Sequence, residues 1–133
     1  MKKGALVVTV VAGLLLTSLV VSRAYFSHRA HDPATTSKRK MDDCFSIARQ
    51  LMKAPSQTTL VKAADLNNVV SLTLEAPNAF GVKLRSEVTC EMEESTDLNL
   101  AGYYTVSSAK IDGKPVSQYD FAMASSNAVL EKK

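Results

Sequence analysis

Two cysteines, Cys44 and Cys90, are the side chains of this 133-residue chain best placed for covalent chemistry. Each stands alone, without the short-spaced ligand pairs that zinc requires. That leaves a disulfide across about 46 residues or two buried thiols acting as small apolar groups. The only histidines, His28 and His31, flank "RA" beside Asp32. They fall in a stretch without apolar periodicity, where no formed element would hold them as ligands. Their position also removes Ser-His and Cys-His arrangements from the rest of the chain. Glu91, Glu93, Glu94 and Asp97 form an acidic cluster. Glu91 and Glu93 would share one strand face, as a carboxylate pair for proton transfer or cation binding or as a solvated strand end. There is no glycine-rich phosphate loop. The expectation is therefore no enzyme, no catalytic residue, no cofactor and no metal. "APNAFG", ending at Gly81, offers a different chemistry. Pro77, Asn78, Phe80 and Gly81 could present an aromatic to a partner. Alternatively, Phe80 folds back over the open end of the core and Gly81 only supplies a positive φ.

Charge divides the chain. Residues 1–40 hold seven Lys/Arg and one acid, a net of +6; residues 41–133 hold nine and twelve, a net of −3. The domain is slightly acidic, which argues against a nucleic-acid partner.

Gly4 to Val21 is an uncharged apolar run behind "MKK". At about 1.5 Å per residue its 18 residues span roughly 27 Å, near the bilayer's hydrocarbon thickness. It reads as an anchor embedded in the lipid bilayer through residues 4–21, or as a signal peptide cut after Ala24. Two basic residues precede it and five follow before Met41, which taken alone would keep the domain in the cytoplasm. The signal-like start and the cysteine pair favour export.

The elements that would position these groups follow from periodicity. Residues 23–38 read as a linker. A helix is expected from a cap at Thr35, Thr36 or Ser37 to Ala54, before Pro55. Its stripe of Met41, Cys44/Phe45, Ala48 and Leu51/Met52 places Cys44 on the apolar face. "TLVKA" is a candidate edge strand. Val70, Leu72 and Leu74 alternate with polar neighbours as a strand face. From Val82 to Glu93 the alternation is nearly complete, with Val82, Leu84, Ser86, Val88, Cys90 and Met92 on the expected buried face. "GYYTVSSAKI" is another strand, in which only one of Tyr103 and Tyr104 can be buried. "DGKPV" is a hairpin turn, and the last segment could be strand, helix or tail.

The expected architecture is α+β. It has one N-terminal transmembrane helix, then a helix packed on a small antiparallel sheet of three or four strands. Boundaries fall at 1–22 (anchor or signal), 23–38 (linker) and 39–133 (extracytoplasmic domain). Helix and sheet must bury their apolar faces against each other, so Cys44 and Cys90 should meet as a disulfide in an oxidising compartment.

"LMKAPSQTT", followed by "EAPNAFGVKLRSEVTCEME", resembles a small uncharacterised domain of bacterial and phage-associated envelope proteins. That domain pairs a Lys-x-Pro-Ser helix end with an Asn-x-Phe-Gly turn before a Cys-bearing strand. The resemblance covers roughly Cys44 to Met92. It implies a helix against an antiparallel sheet, and no activity.

These readings converge on a non-catalytic, membrane-anchored interaction or accessory module of an envelope assembly. It would sit as a single-pass protein in a bacterial inner membrane, with its C-terminal domain in the periplasm and a protein partner in the envelope. A pilin-like filament subunit is an alternative, since "MKKG" is similar to a prepilin leader; Thr9 replaces the usual acid, and Pro33 would break the stalk. A secreted inhibitor or ligand-binding domain, released after Ala24, is the other.

Overall fold

Periodicity explains most of the elements in the computed structural model, which describes residues 32–97, 100 and 102–132. Helix α1 is Pro33–Gln50. Proline suits a first helical turn because the N–H it lacks would have no partner there. The helix buries Lys40, Cys44 and Ala48, the i, i+4, i+8 stripe of one face. Its end tightens, with Leu51 N–H donating to Ala48 C=O and Met52 N–H to Arg49 C=O. A short 3-10 turn, Pro55–Gln57, leads to the sheet.

Five strands follow: β1 Thr59–Asp65, β2 Val69–Pro77, β3 Lys83–Glu94, β4 Tyr104–Ile111 and β5 Lys114–Pro115. They form one antiparallel sheet in sequence order. Left-handed residues recur in the connections, among them Asn67 (φ 69°) between β1 and β2, and Asp112 (φ 50°) with Gly113 (φ 78°) between β4 and β5. Asp-Gly is the pair that a tight hairpin favours. Helix α2, Gln118–Glu131, closes the fold. The Ser117 side chain caps it by accepting from Asp120 N–H.

The core comprises Cys44 and Ala48 of α1 with Val70, Leu72, Leu74, Val88, Cys90, Met92 and Ala109 of the sheet. Phe45, Tyr104, Ile111 and Phe121 of α2 pack around it. Lys132 and Asp43, and Arg49 and Glu131, form ion pairs between the α2 end of the chain and α1.

This architecture corrects the expected one. The sheet has five strands, because β1 pairs with β2 on both sides of a bulge and the Asp-Gly turn adds the short β5. The described residues hold two long helices rather than one. The second escapes periodicity because its core contacts, Ala124 and Ala128, are small while Tyr119, Met123, Val129 and Leu130 face solvent. Helix α1 starts before the expected cap and stops at Gln50. Among the described residues no helix is long and apolar enough to cross a membrane. The expected N-terminal transmembrane helix is thus not among the described helices, and the run 4–21 on which it was placed lies outside the described residues.

Candidate functional site

The cysteines meet as expected. Cys44 and Cys90 are fully buried and joined by a disulfide, with Cα atoms 5.9 Å apart. The bridge ties the middle of α1 to the inner face of β3. No free cysteine remains among the described residues, so this sulfur chemistry is structural.

The expected buried face of β3 is only half buried. Val88, Cys90 and Met92 are enclosed, but Val82 and Leu84 are 55 % and 54 % exposed. The physical reason is the reach of the cover: α1 ends at Gln50, and the β2–β3 hairpin runs on past it. Pro77 closes β2 opposite Lys83. Beyond it the chain turns on Asn78, whose side-chain Oδ1 accepts from the N–H of Phe80 (2.9 Å) and of Val82 (3.0 Å). Asn78 N–H donates to Val82 C=O, and Gly81 N–H to Asn78 C=O. Gly81 takes φ 77°, a conformation that costs an L side chain about 1–2 kcal/mol.

Phe80 sits at the apex and is 90 % exposed. It does not fold back over the core. Leu60 and Val61 of the edge strand β1 are also exposed, and Leu60 pairs with Leu74 on the face that carries Leu84. A bulge at Val61 interrupts that pairing. The result is an apolar tip on a polar collar. Lys83 and Arg85 both reach Glu75, at 3.2 and 3.4 Å. The Lys83 hydrogen bond, with help from Arg85, holds the Glu75 carboxyl below its ordinary value despite some desolvation.

Two members of the acidic cluster, Glu91 and Glu94, are committed elsewhere. Glu91 accepts from Lys110 (3.0 Å) and from Ser108 (2.9 Å). These bonds, Lys110 first, lower its carboxyl pKa. Glu94 accepts from Gly102 N–H. No group of three metal-ligating side chains occurs among the described residues. His28 and His31 lie outside them. An open groove of about 850 Å³ beside the start of α2 contains Asp112 and Asp120. Asp112 accepts from Glu87 N–H, and Asp120 accepts from the Ser117 hydroxyl. Both carboxylates hold the fold.

One cluster was not visible in the sequence. Lys40, counted there with the basic N-terminal segment, is buried. It donates to the Asp65 carboxylate (3.3 Å) and the Asn67 carbonyl (2.7 Å), and its ammonium lies 4.2 Å from the Tyr104 ring centroid. It pins α1, one turn before Cys44, to the β1–β2 turn. As expected for adjacent strand residues, Tyr104 packs on the core while Tyr103 is exposed beneath Arg39.

No protein-family model, curated protein or solved structure matches this chain.

Proposed function

We propose that this chain is a non-catalytic interaction module of a bacterial envelope assembly, and that the β2–β3 tip is its contact end. In this reading residues 4–21 hold it at the inner membrane and the folded part lies in the periplasm. The observation that carries it is Phe80, an aromatic presented at 90 % exposure by a turn whose N–H groups are internally bonded. Exposed apolar patches with polar rims mark interaction sites in soluble domains. The Cys44–Cys90 bridge supports the compartment, since structural disulfides persist where the environment oxidises. The resemblance to envelope domains across Cys44–Met92 includes this same turn.

A photoreactive phenylalanine analogue at position 80, with the full chain expressed in a bacterial envelope, tests the reading. Irradiation should yield a discrete adduct that is missing when the analogue replaces Tyr119, which is exposed on α2. Equal or no adduct at position 80 would remove the tip as a contact end.

A further inference from the structure

We propose that the β2–β3 tip is a lipid-inserting wedge: Phe80, Val82 and Leu84 enter the interfacial region of an anionic phospholipid bilayer while Lys83 and Arg85 meet lipid phosphates. The inference rests on the reading of the tip as the contact end and names what it contacts.

Three observations select a bilayer over a protein pocket. The first is side-chain chemistry. The exposed apolar residues of the tip are Phe80, Val82, Leu84, Leu60 and Val61, with no Trp or Tyr among them. Protein hot spots are poor in Leu and Val, whereas Phe and Leu are among the residues that interfacial segments bury at the headgroup boundary. A convex apolar apex also needs no matching cavity when its receptor is fluid.

The second is backbone satisfaction. Asn78, Phe80, Gly81 and Val82 all have their N–H groups bonded within the turn. Unpaired backbone N–H groups are what make apolar immersion of a loop costly. Asn78 removes most of that cost before any lipid is met.

The third is charge placement. Lys83 lies three residues from the apex, at most about 10 Å along an extended chain, which matches an apolar burial of roughly 5–10 Å beneath headgroups. Lys83 and Arg85 are largely exposed and share the single acid Glu75, so the collar stays net positive.

The chain contains no tryptophan, so Phe80→Trp creates a sole reporter. The full chain, reconstituted in phosphatidylglycerol–phosphatidylcholine vesicles with acyl-chain bromine, should show blue-shifted and quenched emission. Vesicles of phosphatidylcholine alone should show little of either. Adding Lys83→Gln and Arg85→Gln should lower the inserted-to-free ratio about 30-fold, from two basic side chains at roughly 1 kcal/mol each on an anionic surface. A matching Tyr119→Trp reporter should stay aqueous throughout, and circular dichroism checks that each variant is folded. Emission at position 80 no more quenched than at 119 overturns the proposal. If the photo-adduct at position 80 carries protein and not lipid, the lipid assignment falls while the contact end stands. If neither forms, both fall.

Discussion

Strand β3 has two ends with one sequence rule and opposite environments. Toward its C-terminus, Val88, Cys90 and Met92 lie under α1, and Cys90 is bonded to it. Toward its N-terminus, Leu84 and the preceding Val82 continue the same face into solvent. Alternation dictates which side of a strand is apolar; it does not dictate how far a covering helix extends. The buried end therefore carries stability. The open end is apolar surface with no partner in the described fold, which is why function is sought there.

Removing the bridge is the largest test of this division. A 46-residue separation corresponds to about 4 kcal/mol in the chain-entropy model. Cys44→Ala/Cys90→Ala should lose most of that in urea unfolding, with a further contribution from the cavity. Phe80→Ala should change stability by less than about 0.5 kcal/mol. A comparable loss at Phe80 would mean that the tip is part of the core.

A matched pair sharpens the same contrast without touching sulfur. Leu72 is fully buried on β2, whereas Leu84 on the neighbouring strand is 54 % exposed. Leu72→Ala should cost about 3 kcal/mol, and Leu84→Ala well under 1. The difference between the two denaturation midpoints is the readout. Equal costs would show that the hairpin end is covered in solution.

Smaller again is the effect expected at the pin between α1 and the β1–β2 turn. Asp65→Ala leaves the Lys40 ammonium buried, with the Asn67 carbonyl and Tyr104 ring for company. Breaking a fully buried pair costs about 3–5 kcal/mol. This one retains some exposure, so a loss of about 2 is expected from urea midpoints. Lys40→Met, which fills the space without a charge, should lose less. If both variants cost the same, packing rather than charge holds that end.

How much of this was legible follows from the forces involved. The disulfide could be read because both cysteines sat on apolar faces that two amphipathic elements must bury together. Val70, Leu72 and Leu74 showed themselves by the same alternation. The open end could not be read, since Val82 and Leu84 look no different from Val88 in sequence. Helix α2 offered its cap, Ser117 with Asp120, but Ala124 and Ala128 bury through close approach rather than through a broad apolar stripe. Lys40 finds Asp65 across 25 residues, and no local spacing reports such a pair. Phe80 was open to two readings by type alone. What decided it was the Asn78 side chain bonding two N–H groups of the turn and so turning the aromatic outward.

The smallest effects belong to the outer face, and they should be alike at both ends of β3. Glu75 at the tip and Glu91 at the far end both have carboxyl pKa values below the ordinary 4.5, held there first by Lys83 and first by Lys110. A depressed folded-state value means that each contributes stability above the unfolded pKa and loses it as pH falls through the folded one. The window therefore lies at and below about pH 4.5. Because both groups are solvent-exposed, salt should screen the effect. NMR titration of the two carboxyl carbons should give midpoints below 4.5, moving up in Lys83→Gln and Lys110→Gln respectively. Similar behaviour at the two ends would leave the inner face as the source of their difference. A large acid-induced loss confined to the Glu91 end would instead tie the outer face to the buried half, and the division drawn along β3 would need a second cause.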